Sequence, residues 1–426
     1  MQQVKYPSRN QWSEILQRPT YDISSLQETV EAVLNDVKQN GDSAIKKYTS
    51  QFDGVALENF IVNEKEINEA TASISPQLKQ AIELAAANIQ SFHKKQLQQP
   101  EIIETMPGVK CWRKSVGIEK VGLYIPGGSA PLFSTVLMLG IPAKIAGCKE
   151  VILCSPPNKD GKLHPAILFA AQLVGITKIF KIGGVQAIAA MAYGTVTVPK
   201  AYKIFGPGNQ YVTCAKQLIQ QEGVAIDMPA GPSEVCVLAD ETADASFIAA
   251  DLLSQAEHGA DSQVLLVCTE ESIVTQVEIE IEKQLAQLPR KAIAEKALKH
   301  SKAVILKNIN EAIDLVNEYA PEHLIISCTN DEAIAEKIIN AGSIFLGNYS
   351  PESVGDYASG TNHTLPTNGF AKAYSGVSVD SFVKKITFQK LTREGLENIG
   401  KTVELMAEAE GLEAHKNAVS IRLKKD

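Results

Sequence analysis

Val121-Gly122-Leu123-Tyr124-Ile125, followed by Pro126-Gly127-Gly128-Ser129 and a helical pattern to about Ala146, is the stretch on which the fold turns. A run of five uncharged residues closed by a Pro/Gly turn reads as a buried strand, and the turn feeds a helix. The same texture returns three times. Val151-Ile152-Leu153-Cys154 precedes a helix over 165–173. Lys178-Ile179-Phe180 runs into Gly183-Gly184-Val185-Gln186 and a helix, and Lys203-Ile204-Phe205 into Gly206-Pro207-Gly208-Asn209 and a helix. Strand, small-residue turn and helix in repetition predict a parallel doubly wound sheet.

A second series follows, with strands over 234–238, 263–268, 303–306, 324–328 and 343–346 and helices between them. The fold class is therefore α/β, with two Rossmann-like doubly wound lobes. Asp227-Met228-Pro229-Ala230-Gly231-Pro232-Ser233 joins them and reads as a hinge and cleft wall. Upstream the chain is helical. Residues 26–40 place Val30, Val33, Leu34 and Val37 on one side, a second helix runs to about Phe52, and Ser75-Pro76 opens a longer one to about Lys95. After about Ala373 the α/β pattern stops. A helix from about Thr392 carries Leu396, Ile399, Val403 and Met406 as one apolar stripe, Gly411 ends it, and Glu413 to Asn417 open a last segment. Such a stripe covers this molecule's own surface or a partner's. The expected division is an N-terminal extension (1–22), a first lobe assembled from 23–120 and 233–373, a second lobe over 121–232, and a C-terminal helical arm over 374–426.

The chain of 426 residues is 45% hydrophobic and 21% charged, which suits a soluble globular protein of two large units. A formal net charge of -8 argues against nucleic acid as a partner. The apolar stretch over 131–148 is broken by Pro142 and Lys144 and reads as a buried helix, so no membrane segment is expected, and no secretory signal is legible near Met1. Seven cysteines without a CxxC read as reduced, mostly buried thiols of a cytoplasmic protein.

Chemistry-bearing residues are few enough to weigh singly. In Ser254-Gln255-Ala256-Glu257-His258-Gly259, at the end of a helix expected over 243–258, Gln255 and His258 are three residues apart and share a face. With Asp356, in a polar loop, and His415, in the last segment, they make a set of two imidazoles, a carboxylate and an amide oxygen that suits Zn²⁺. The other reading of the same residues is a capped helix end, a loop turn and an ordinary helical histidine, and both stay open. Glu322-His323, before a buried strand, is either an acid/base pair or a polar strand mouth. The glycine turns at the strand ends suit a dinucleotide, yet the first of them lacks GxGxxG, and tight turns explain them almost as well. His93, His164 and His300 read as surface residues. The thiols read as structural, with Cys111 and Cys154 the two near the expected cleft.

Taken together, several strings resemble the histidinol dehydrogenase family. They are Ile226 to Glu234, Ser254 to Gly259, Pro321-Glu322-His323-Leu324, Gly355 to His363 and Ala414 to Val419, and the likeness runs from about residue 25 to 422. The resemblance implies a zinc enzyme that oxidises L-histidinol to L-histidine in two NAD-dependent steps through the aldehyde. It implies Gln255, His258, Asp356 and His415 as ligands of one Zn²⁺ per subunit, and Glu322 and His323 as the catalytic pair. It implies Ser233, Glu352, His363 and Glu410 beside the ligands and His323 in the substrate site, and Tyr124, Gln186 and Asn209 as NAD contacts. It also implies a homodimer whose C-terminal arm brings His415 to the partner's zinc site. Two rival readings remain: a metal-free NAD-dependent aldehyde dehydrogenase relying on one cysteine, and a two-lobed small-molecule receptor without use for Glu322-His323.

Overall fold

The computed structural model describes residues 1–18, 23–127 and 131–424. Gly128 and Ser129 of the first glycine turn, residues 19–22 of the N-terminal segment, and Lys425 lie outside the described residues.

Among the described residues, five parallel strands stand in the order Lys178–Lys181, Glu150–Ser155, Lys120–Tyr124, Lys203–Phe205, Ala225–Ile226. Strand order reverses at Lys120–Tyr124, which pairs with its successor on one side and with Lys203–Phe205 on the other. Crossover helices leave in opposite directions from such a point, so a crevice opens at the carboxyl ends of these two strands. The helix Phe133–Ala146 is buried from Ser134 to Ala143 and carries Pro142 within it. No described helix is long and apolar enough to cross a membrane.

The second sheet holds six described strands in the order Gln2–Lys5, Lys302–Ile305, Gln263–Cys268, Glu234–Ala239, His323–Ser327, Ser343–Leu346, all parallel. The N-terminal residues are thus no appendage. Gln2–Lys5 is the sheet's edge strand, and Trp12 and Leu16 are buried with Leu238, Val304 and Val316.

The helices between residues 23 and 94 pack on the five-stranded sheet, not on the six-stranded one with which 23–120 was grouped. Val30, Val33, Leu34 and Val37 of the helix Ile23–Asn40 share a core with Tyr124, Ile152 and Phe180. Ile82, Ala85 and Ile89 of the helix Pro76–Lys94 share one with Val121, Leu123 and Leu137. A parallel sheet is apolar on both faces, and these helices complete its cover.

The region after residue 373 is also not purely helical. Val383–Leu391 pairs antiparallel with Val109–Gly117, which pairs in turn with Ile102–Met106. Phe382, just before this strand, is buried and stacks on Phe205 with ring centroids 4.0 Å apart. Beyond it the helices Arg393–Ala409 and Glu413–Leu423 pack on each other. Gly400 makes that approach possible, since a Cβ there would lie 2.8 Å from Leu423. Leu405, Met406, Leu412 and Ile421 of this region remain exposed.

Candidate active site

The two sheets meet at unlike ends. Ser233 and Glu234 begin one strand of the six-stranded sheet, and Glu322 and His323 begin its neighbour, in register with His323 opposite Val235. These amino ends face the Gly206-Pro207-Gly208-Asn209 turn at the carboxyl end of the other sheet. A cavity of about 350 Å³ lies between, lined by residues that include Ser233, His258, Glu322, His323, Asp356 and His363, with Asp227 and Met228 of the joint.

Behind this lining the helix Ala245–Ala256 holds Gln255 and Asp251 one turn apart. Gln255 is fully buried, and neither atom of its amide has a partner among the described residues. His323 Nε2, Glu352 Oε2 and Asp356 Oδ1 are buried atoms that likewise make no hydrogen bond among the described residues, His323 Nε2 and Asp356 Oδ1 meeting only as an ion pair at 3.4 Å. Buried polar atoms are nearly always bonded, so several orphans in one cluster mark a place built for something else. The ligand atoms of His323, Glu352 and Asp356 all lie within 4.8 Å of one another. Carboxylate and imidazole donors with a buried amide oxygen suit a divalent cation of zinc's type.

Charges in the cluster act on each other strongly. Burial pushes the Glu322 carboxyl up to about 8, with Glu234 and Glu352 adding to the rise and His323 and the Glu234 N–H opposing it. Glu352 is likewise pushed to about 8 by burial, aided by Asp356 and Asp251. Burial alone would lower His323, but Glu352, Glu322 and Asp356 together raise it well above its ordinary value. Burial would raise Asp356, but His323, His363 and His258 hold it below the usual carboxylate range. The geometry behind this is close. His323 Nδ1 is 3.6 Å from Glu322 and 3.8 Å from Glu352, and Nε2 is 3.4 Å from Asp356. His363 is oriented at both nitrogens, with Nδ1 2.8 Å from the Asp356 carbonyl and Nε2 3.0 Å from the Thr135 hydroxyl.

Two expected members are elsewhere. His415 and Glu410 are exposed on the C-terminal helix pair and do not line the cavity. Conversely, the structure brings in residues that the sequence reading passed over. Asp251 is pushed up to about 7 by burial, and its place four residues before Gln255 was the available signal. Lys216 and Asp227 form a buried ion pair beneath the glycine turn: Lys216 donates to the Gly206 carbonyl, and Asp227 accepts from the Gly206 N–H. Thr135 carried no signal. His93, taken for a surface residue, is fully buried, with Nδ1 2.9 Å from the Ile89 carbonyl. His300 is half-buried against the Ser262 carbonyl, while His164 is exposed and caps its helix. No cysteine lines the cavity among the described residues, and burial raises Cys154 and Cys236 far above a reactive thiol's range.

A second cavity of about 620 Å³ lies at the carboxyl ends of the five-stranded sheet, lined by residues that include Asp53, Tyr124, Gly127, Pro156, Gly184 and Asn209. Tyr124 accepts from the Gly184 N–H at 3.1 Å. Gln186, immediately beyond, is fully buried with both amide atoms unpartnered among the described residues. Asn209 caps its helix and lines both cavities. The glycines here are needed by packing as well. A Cβ on Gly206, at φ +124°, would lie 2.0 Å from the Tyr124 carbonyl.

A sequence-family model described as Histidinol dehydrogenase matches residues 16–423. The curated histidinol dehydrogenase of Bacteroides thetaiotaomicron is 60% identical over 423 residues, 99% of this chain and of that one. The chain belongs to the histidinol dehydrogenase family. Membership makes it an oxidoreductase. A histidinol dehydrogenase from Haemophilus influenzae is 53% identical over 98% of this chain and 97% of its own length. The crystal structure of histidinol dehydrogenase from Elizabethkingia anophelis matches with a TM-score of 0.98 at 58% identity, over 100% of this chain and 98% of that one. The fold reaches further than the family. An acetylating aldehyde dehydrogenase from Geobacillus thermoglucosidasius shares it at a TM-score of 0.50 and 16% identity, over 89% of this chain and 94% of that one.

Proposed function

We propose that this enzyme oxidises L-histidinol to L-histidine in two NAD-dependent, zinc-dependent steps through L-histidinaldehyde, as the closing steps of histidine biosynthesis in the cytoplasm. The observation that carries the reading is the buried cluster of unpartnered donors at Gln255, His323, Glu352 and Asp356. Family membership supplies the substrate.

In this reading Gln255, His258 and Asp356 hold one zinc per subunit, joined by His415 of a second copy in a homodimer. When bound, zinc supplies a Lewis acid that orients the amine and imidazole of histidinol, and NAD supplies the hydride acceptor for each oxidation. Tyr124, Gln186 and Asn209 contact NAD, and the turn they flank leads into the substrate cavity. Ser233, Glu352 and His363, with Glu410 of the second copy, surround the substrate. His323 takes the alcohol proton in the first oxidation. Glu322 then takes a proton from the water that adds to the aldehyde carbon while protonated His323 returns its proton to the carbonyl oxygen, and His323, neutral again, takes the hydroxyl proton of the hydrate as the second hydride leaves to a second NAD. Closure of the two lobes over the cavity keeps the aldehyde from escaping between oxidations.

The test is NADH formation from L-histidinol by the purified enzyme, before and after treatment with a chelator. Two NADH per L-histidine, lost on chelation and restored by Zn²⁺, are expected. One NADH with free aldehyde, or full activity without metal, sinks the reading.

A further inference from the structure

Arg18 lies far from the cavity in sequence and beside its machinery in space. Its Nε and Nη2 hold the Glu234 carboxylate at 2.5 and 2.9 Å, and Nη2 also donates to the Tyr319 carbonyl at 2.6 Å. The guanidinium lies 3.9 Å from the Tyr319 ring centroid, and the Tyr319 hydroxyl reaches Glu234 and Gln263. Glu234 is 2% exposed, and the Arg18 guanidinium is its ion-pair partner. The backbone of the same residue serves the expected acid/base pair: its N–H donates to Glu322 Oε2 at 2.9 Å, and its carbonyl lies 3.3 Å from His323 Nδ1. From the other side, Tyr319 leads through Ala320, a non-glycine residue held at φ +53°, to Glu322 itself. Such a conformation persists only where neighbours enforce it.

We propose that Arg18 is a positioning residue for the Glu322–His323 pair: clamped between the Glu234 carboxylate and the end of the helix Ile309–Tyr319, it holds the Glu234 backbone against both side chains. The proposal rests on the proton-transfer roles given above to Glu322 and His323. The N-terminal segment therefore does more than extend the sheet. It carries the cation that fixes the amino ends of the two strands from which the pair projects. Without the guanidinium, the buried Glu234 side chain keeps only the Tyr319 hydroxyl, and the strand start shifts to bring it water. Displacements of about 1 Å at such a site cost on the order of 100-fold in rate.

The experiment measures NADH formation from L-histidinol and from L-histidinaldehyde separately, with the zinc-loaded full chain, for Arg18→Gln, Arg18→Ala, Arg18→Lys and Glu322→Gln. Arg18→Gln is expected to lower kcat for the aldehyde by about 10- to 100-fold while KM for L-histidinol changes by no more than about twofold. Arg18→Lys is expected to regain part of the loss, and methylguanidine added to Arg18→Ala is expected to regain part as well. An unchanged kcat, or a loss that tracks only the folded fraction and that neither Lys nor methylguanidine relieves, overturns the proposal. Should Arg18→Gln and Arg18→Ala fail to fold, Arg18→Lys decides alone: kcat equal to wild type on both substrates overturns it, and a lowered kcat on either substrate with KM and folded fraction unchanged supports it. Glu322→Gln separates the two ideas. If it slows both oxidations alike, the role of Glu322 fails instead, and Arg18 is judged on rescue of kcat.

Discussion

Glu322 sits where burial makes a carboxylate hold its proton. Raised to about 8, it is mostly protonated at pH 7 and mostly ionised above pH 8. A base must be ionised to act, so the rate of aldehyde oxidation should climb as pH rises through about 8 and fall on the acid side. Glu322→Gln should remove that limb and lower the rate by roughly 100-fold or more, with less effect on the alcohol step. Stopped-flow NADH formation from histidinaldehyde across pH 6–10 checks both; an identical pH profile in the variant would rule out the role. At the other end of the cluster, His258 opens onto the cavity and feels Asp356 across it. His258→Asn should yield folded protein with less than about one tenth of the zinc of wild type, read by metal analysis after dialysis. Full retention of zinc removes His258 from the ligand set. The types of these residues were legible in the sequence because Glu-His and Gln-x-x-His strings are short and local. Their protonation states were not, since they arise from four carboxyl groups, Asp251, Glu322, Glu352 and Asp356, that are separated by up to 105 positions and meet only in the fold.

At the scale of elements, the buried parallel strands were the most legible part of the chain. Lys178–Lys181, Gln263–Cys268 and Ser343–Leu346 lie within a residue of where apolar runs put them. Strands without such a run escaped. Val383–Leu391 mixes lysines and polar residues with apolar ones and is exposed from Lys384 to Lys390, and Gln2–Lys5 carries one apolar side chain, so each depends on a distant partner to be a strand at all. Which sheet a helix covers was equally hidden: the stripe Val30–Val33–Leu34–Val37 says that something is covered, not what. The glycine turns were legible as turns, but not the direction from which the site is entered. The six-stranded sheet uses the amino ends of its strands, where a general rule of α/β sheets points to carboxyl ends. Gly206 shows how tightly the turns are set. Gly206→Ala forces a side chain into φ +124° and against the Tyr124 carbonyl, which must move. A loss of about 2–4 kcal/mol in stability is expected, by urea unfolding, with weaker NAD binding. A loss under about 0.5 kcal/mol with unchanged NAD affinity would show that the turn tolerates a Cβ.

At the scale of the whole molecule, one chain does not complete the expected set. His258 and Asp356 line the cavity, and Gln255 is buried behind them, while His415 and Glu410 stand exposed on a helix pair whose Leu405, Met406, Leu412 and Ile421 also face outward. An apolar, uncovered arm carrying two residues suited to a site elsewhere fits the supply of those residues to a second copy. The consequence can be measured without knowing the interface. His258→Asn spoils the body's half of a site and His415→Ala the arm's half, so each variant alone should be inactive. After the two are mixed and allowed to exchange subunits, a mixed dimer pairs one body bearing His258 with one arm bearing His415. Random exchange makes half the dimers mixed with one intact site each, so activity should return to about a quarter of wild type. An arm that folds back onto its own cavity would leave every site in the mixture defective, and NADH formation from L-histidinol would stay at the level of the separate variants. Size-exclusion chromatography before and after mixing confirms that exchange took place, which makes a silent mixture evidence against the shared site rather than a failed experiment.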